Sequence, residues 1–343
     1  MQICLYIAPN DGIGSIISDN RDMLSEHGID NTVFETINGL DGLDEVLTPN
    51  TLALIHNPLL PGIFNYLGQN LSCPKVLQYH NITPSVFYEP YNIADKESRD
   101  IQYSEIAQAA LYFPYAWGDS EYNCKQLREA GYARTAVANP SINFERYKKI
   151  QEKSIDRKQS DKTNILFVGS ISPHKRQNDI IRAFYYYHMI NQNSELTLVG
   201  GFGNEVYKNE LIALADGLKL PVNFTGMVSV EDLVTYYQNA DLFLCMSEHE
   251  GFCIPLIEAM YFGVPVIAFE SSAVPETVAN AGIVFGQKHF PSVAHLMDVV
   301  LNNSTMQEKM RTAGRERAMY FCKDNSSKRL LKLIEDYADE LKQ

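Results

Sequence analysis

The sequence predicts an α/β protein built from two doubly wound parallel-sheet domains. Short apolar runs rich in β-branched and aromatic residues recur along the whole chain, and stretches with helical periodicity separate them. At 343 residues, the chain accommodates two domains of roughly 100–200 residues, each able to bury its own core.

The strand-like runs of the first half are QICLYIA at 2–8, LALIH at 52–56, KVLQY at 75–79 and LYFPYAWG at 111–118. In the second half they are NILFVG at 164–169, ELTLVGG at 195–201, VNFTG at 222–226, LFLCMS at 242–247, PVIAFE at 265–270 and GIVF at 282–285. The later runs are nearly continuous in hydrophobicity, as parallel strands covered on both faces are. Helical patterns fall at 176–190, 204–218 and 230–239. Right-handed crossovers would place them on both faces of each sheet.

The polar segment QEKSIDRKQSDKT at 151–163 has no apolar periodicity. It reads as a linker, with a solvated helix end as the other reading. The domains are then 1–150 and 164–320. The tail 321–343 carries an amphipathic helix from about 325, with Leu330, Leu331, Leu333, Ile334, Tyr337 and Leu341 on or near one face. It is expected to pack back on the N-terminal domain.

Composition narrows the function. A net charge of −13 argues against nucleic acid, whose phosphates call for surplus Lys and Arg, and against purely electrostatic docking to an anionic membrane. Six cysteines, at 4, 73, 124, 245, 253 and 322, share no C-x-x-C spacing. They read as buried reduced thiols rather than a disulfide framework. No signal peptide and no run of about 18 apolar residues is found, so a cytoplasmic protein is expected.

In open α/β sheets ligands bind beyond the carboxyl ends of the strands, so candidate residues are sought there. After the first strand, Gly12 and Gly14 open a helical pattern, where a ligand can approach backbone N–H groups; a plain turn fits equally well. The strand at 75–79 ends in His80, which fits a sugar-hydroxyl contact and a structural strand cap alike. The strand at 164–169 ends in GSISPHKR. Gly169 provides a tight turn, and Lys175 and Arg176 at a helix start suit a diphosphate; a solvated basic pair is the other reading. The strand at 242–247 runs into SEHEGFCIPLIEAM. Gly251 and Pro255 mark a loop-to-helix transition, with Glu250 on the loop and Glu258 inside the helix. There the N–H groups of Gly251, Phe252 and Cys253 would face a phosphate. From spacing alone, two surface glutamates is the commoner explanation.

The segment EGFCIPLIEAMYFGVPVIA with AVPE at 273–276 closely resembles the donor motif of family-four retaining glycosyltransferases of the GT-B fold. ILFVGSISPHKRQNDIIRAF, LTLVGG at 196–201 and FTGMVSVEDLVTYYQNADLFL at 224–244 match in order and spacing. GDSEYNCKQL at 118–127 and NPSINFERY at 139–147 resemble the family's domain junction. The likeness covers most of 110–320 and is partial in the first hundred residues.

The resemblance implies two Rossmann-like domains facing a central cleft, an N-terminal acceptor side and a C-terminal donor side. It implies Glu258 on the nucleotide ribose, Glu250 on the donor sugar, Lys175 on the diphosphate and Met227 and Val228 beside the base. His80 would sit by the reacting sugar and Gly14 near the donor phosphates. Many members carry Arg after the glycine of the phosphate turn; here that residue is Ser170, and Arg176 is the candidate to replace it. The implied reaction is metal-free, retaining transfer of a hexose from a GDP- or UDP-linked donor to a saccharide or lipid-linked saccharide, in surface polysaccharide or lipopolysaccharide assembly. Contact with the inner membrane face would bring a lipid-linked acceptor within reach. The alternatives are a sugar-nucleotide 2-epimerase and a catalytically silent partner subunit of the same fold. The aromatic run Phe87, Tyr88 and Tyr91 fits acceptor stacking and core packing equally.

Overall fold

The computed structural model describes residues 1–4, 12–48, 50–57, 62–151 and 161–342. They form two compact units, one of Met1–Asn143 with Phe321–Gln343, the other of Phe144–Tyr320.

In the first unit the strands are β1 Gln2–Cys4, β2 Val33–Glu35, β3 Ala53–His56, β4 Lys75–Tyr79, β5 Tyr115–Gly118 and β6 Thr135–Val137. They pair in parallel in the order β2-β1-β3-β4-β5-β6. Alternate residues feed opposite faces, as a pleated strand requires. Ile55, Leu77 and Ala116 pack with Phe64, Leu67 and Phe113. Their neighbours Leu54, Val76 and Trp117 pack with Met23, Leu24, Leu330 and Tyr337. Residues 5–8 of the expected first strand lie outside the described residues.

Two of those partners come from the C-terminal helix Lys323–Glu340. Leu331, Leu333 and Ile334 pack partly buried against the same cluster. Leu341 does not share that face: it follows the helix end and is 51% exposed.

The second unit holds β7 Thr163–Val168, β8 Ser194–Val199, β9 Val222–Gly226, β10 Leu242–Cys245, β11 Val266–Phe269 and β12 Ile283–Phe285. Their parallel order is β12-β11-β10-β7-β8-β9. The chain builds outward from β7 in one direction, then returns to β10 and builds outward in the other. The helices Gln177–Ile190, Glu205–Gly217 and Val230–Asn239 fall where periodicity places them. Asn204 and Ser229 cap the last two, their side chains accepting from the N–H of Tyr207 and Asp232.

Residues 144–150, assigned by sequence to the first domain, belong to the second unit. Phe144 stacks on Tyr261 at 4.2 Å between centroids, and Tyr147 packs on Phe262 at 5.6 Å. Aromatic burial thus ties the helix Glu145–Gln151 forward along the chain. Of the expected linker, residues 152–160 lie outside the described residues. No described helix is long and apolar enough to cross a membrane.

Candidate functional site

In the second sheet, β7 and β10 are neighbours whose connections leave in opposite directions. The loops beyond their carboxyl ends therefore diverge, which is where doubly wound sheets open a crevice. The loop after β7 runs through Gly169 to Arg176, and the loop after β10 through Met246 to Cys253.

Three contacts fasten these loops together. The N–H of Glu248 donates to the carbonyl of His174 at 2.8 Å. Lys175 Nζ donates to Glu250 Oε2 at 2.6 Å. Arg176 Nε lies 2.8 Å from Glu248 Oε2. Burial alone would lower the Lys175 ammonium, but the charge and hydrogen bond of Glu250 outweigh it and hold it above its ordinary value. Lys175 is therefore a cation at the bottom of the crevice, its side chain 18% exposed.

The backbone behind this contact is closely packed. Gly200 follows β8 with φ +147°, and a Cβ there would stand 2.1 Å from the Gly169 carbonyl oxygen. The strand ends are laced by Gly169 N–H to Val199 O at 2.9 Å, Ile171 N–H to Gly201 O at 2.8 Å and Gly200 N–H to Gly226 O at 3.0 Å. Met227 and Val228 follow β9 on the same edge; Met227 is 81% exposed beside Gly201. From the other side, the loop after β11 clamps the Glu250 segment. The N–H of Glu250 donates to Ser272 Oγ at 2.7 Å, and Ser271 Oγ donates to Ser247 O at 2.6 Å. Thr277 Oγ1 donates to Phe252 O at 2.5 Å. Beyond Gly251 and the buried Phe252, Cys253 begins the helix Ile254–Tyr261 in a left-handed conformation.

Residues 148–317 match the family described as glycosyl transferases group 1. The match spans nearly the whole of the second unit, Phe144–Tyr320. The chain is 26% identical over 164 residues to O-antigen chain mannosyltransferase B of Escherichia coli, covering 47% of this chain and 42% of that one. It is 29% identical over 177 residues to a GDP-mannose-dependent phosphatidylinositol monomannoside mannosyltransferase of Corynebacterium glutamicum, covering 48% and 46%. Against the capsular polysaccharide biosynthesis glycosyltransferase CapM of Staphylococcus aureus it is 25% identical over 184 residues, covering 51% and 47%. The chain thus spans under half the length of these relatives. Among solved structures, sucrose-phosphate synthase of Thermosynechococcus elongatus superposes with TM-score 0.78 at 16% identity, covering 99% of both chains. Anabaena HepE in complex with UDP and glucose superposes at 0.72 and 16%, covering 97% and 99%. The fold is GT-B.

Within the second unit, Glu258 is 5% exposed. Its Oε1 accepts from Tyr147 OH and its Oε2 from Tyr237 OH, the latter at 2.8 Å. Burial first, and then the Glu258 charge, push both phenols well above their usual range, so both remain donors. The sequence-derived ribose contact is thus already a buried carboxylate pinned by two tyrosines. Each oxygen keeps a second lone pair.

The diphosphate candidates are likewise engaged within the second unit. Lys288, which sequence reasoning missed, donates to Asp179 Oδ2 and Glu248 Oε1 at 2.8 Å each and to Met246 O at 2.9 Å. Arg176, Glu248, Lys288 and Asp179 form one network, so Arg176 reaches the site as the partner of Glu248. Arg176 itself takes φ 53° at the start of the helix Gln177–Ile190.

Gly14 and His80 lie in the first unit. Gly14 is buried in the first turn of the helix Gly12–Glu26. His80 departs from the expectation of a ring facing a ligand: its side chain is 1% exposed and both ring nitrogens are occupied. Gln2 Nε2 donates to Ile17 O, leaving Gln2 Oε1 to accept from His56 Nε2 at 3.1 Å. Burial, reinforced by His80, holds His56 well below its usual range and therefore neutral. His56 Nδ1 then accepts from His80 Nε2 at 2.8 Å, while His80 Nδ1 faces Asp119 Oδ2 at 3.0 Å. The backbone N–H of His80 donates to Asn57 Oδ1 at 2.6 Å. It fixes the end of β4; His56 and Asp119, its partners, went unrecognised in the sequence.

Proposed function

We propose that this chain is a nucleotide-sugar-dependent hexosyltransferase. It moves a hexose from a GDP- or UDP-linked donor to a saccharide or lipid-linked saccharide in surface-polysaccharide or lipopolysaccharide assembly. The observation that carries this reading is the Lys175–Glu250 contact across the divergence of β7 and β10, inside the segment that matches the group 1 family. In this reading the donor diphosphate takes Lys175, releasing Glu250 to accept from sugar hydroxyls. Glu258 takes the ribose on its remaining lone pairs, and Met227 and Val228 border the base. Gly169 and the Gly251–Cys253 turn let the phosphates approach the backbone.

Charge developing on the leaving diphosphate is stabilised by Lys175, with Arg176 in support through its network, so the transfer requires no metal. Transfer proceeds with retention on one face of the sugar, and the departing phosphate accepts the acceptor's proton. His80 acts as a positioning residue for the β4 terminus. Mannosyltransferase names among the relatives support a GDP-linked donor, and UDP in the solved neighbour supports a UDP-linked one.

The test is release of free nucleoside diphosphate from GDP-mannose and UDP-glucose, with and without membrane-extracted acceptors. Acceptor-dependent release that collapses in Lys175→Ala supports the reading. Isomerised nucleotide sugar without release would point to the epimerase, and binding without turnover to the silent subunit.

A further inference from the structure

We propose that Cys245, Cys253 and Glu250 form a binding site for a thiophilic divalent cation such as Zn²⁺ or Cd²⁺. The two sulfurs and a carboxylate oxygen of Glu250 lie within 4.8 Å of one another. Among the described residues this is the one group of three or more His, Cys, Asp or Glu side chains arranged to hold a metal ion. It is also dry, with the three residues 0%, 8% and 5% exposed.

A second observation points to a ligand here. Glu250 Oε2 takes Lys175, but Oε1 is buried and has no hydrogen-bond partner. Buried polar atoms are rarely left so. Cys253, moreover, sits at φ 73°, ψ 68°. A side chain is strained in that region, and such strain collects at binding sites. Here it sets one thiol beside the other.

Coordination chemistry suits the place. Tetrahedral Zn–S bonds of about 2.3 Å put two sulfurs about 3.8 Å apart, so the group closes by about 1 Å at most. Binding replaces two thiol protons with one dication: M²⁺ and two SH give a neutral dithiolate complex and release two H⁺. Glu250 and Lys175 remain a neutral pair, so the net charge of the buried site is unchanged, as the interior demands. Two thiolates and Oε1 fill three positions and leave a fourth open. Because the cation occupies Oε1, it competes with a sugar hydroxyl and inhibits transfer. That consequence rests on the proposed function; cation binding does not.

The experiment titrates the full chain with Cd²⁺ in a phosphine reductant, following the sulfur-to-metal ultraviolet band and proton release. The zinc-loaded chain is then examined by X-ray absorption. One cation, two protons and two sulfur ligands are expected. Cys245→Ala should weaken binding by at least about tenfold while nucleotide-induced thermal stabilisation persists. The remaining cysteines, Cys4, Cys73, Cys124 and Cys322, belong to the first unit, so binding through them would be indifferent to this substitution. An all-nitrogen-and-oxygen ligand set, or affinity unchanged in Cys245→Ala, overturns the proposal. Both readouts are independent of turnover.

Discussion

Lys175 Nζ and Glu250 Oε2 meet at 2.6 Å although 75 residues separate them in the chain. One stands beyond β7 and the other beyond β10, so the pair closes the crevice floor. Truncating Lys175 to Ala leaves a buried carboxylate with neither oxygen partnered. The expected cost is roughly 3 kcal/mol of stability and a fall in transfer of roughly 10²–10³-fold. Urea unfolding and nucleotide-release assays measure the two separately. Glu250→Gln, which keeps the shape and removes the charge, should unfold later than Lys175→Ala while transferring as poorly. The reverse order of stability would contradict the pairing.

Glu258 depends on Tyr147 and Tyr237. Hydrogen bonds to a charged group are worth roughly 1.5–3 kcal/mol, so Tyr147→Phe and Tyr237→Phe should each lower stability by about that amount. Since one buried carboxylate is shared, the double variant should lose more than the sum of the singles. Denaturant midpoints for the three proteins provide the check; strict additivity would mean that the tyrosines act independently of Glu258.

Acid should weaken the Glu248 network. Burial pushes this carboxyl up, but the hydrogen bonds and charges of Lys288 and Arg176 pull harder and hold it below its ordinary 4.5. A folded pKa below the unfolded one contributes stability that is complete above the unfolded value and is lost as pH falls through the folded value. Stability should therefore decline as pH drops below about 4.5, and Glu248→Gln should flatten that decline. Urea midpoints across this interval, wild type against variant, report it; parallel curves would rule Glu248 out as a contributor.

Two glycines should respond in opposite ways to alanine. At Gly200 the new Cβ would press on the Gly169 carbonyl, with φ at +147°. A loss of roughly 3 kcal/mol or failure to fold is expected, from strain and overpacking. At Gly217, the last residue of its helix, a Cβ meets nothing within 4 Å. Alanine there should stabilise by roughly 0.5–1 kcal/mol. Melting temperatures compare the pair directly.

The longer elements were legible because their patterns are local. The run at 164–169 is β7 within one residue, and the helices Glu205–Gly217 and Val230–Asn239 match the patterns at 204–218 and 230–239. β2 and β6 were missed. Each has three residues, only half buried or exposed, too short for an alternation to register. The run at 111–118 begins as strand only at Tyr115, because residues 110–112 close the preceding helix and Pro114 lacks an N–H. At the site, Lys175, Glu250 and Glu258 were visible through motif and strand end. Lys288 was not, since its partner Asp179 is 109 residues away. Tyr147 and Tyr237 read as ordinary core aromatics, and nothing local reveals that their hydroxyls meet one carboxylate. His80 looked available because a sequence displays a ring but not the neighbours that occupy it.

The first unit is discontinuous: the chain leaves it after Asn143 and re-enters at Phe321. A nascent chain can therefore complete the contiguous 144–320 segment while the earlier sheet still waits for Leu330 and Tyr337 to cover Leu54, Val76 and Trp117. Of the two units, the one begun earlier is completed later. Until the helix Lys323–Glu340 emerges from the ribosome, part of one face of that sheet stays open to chaperones and to other unfinished chains.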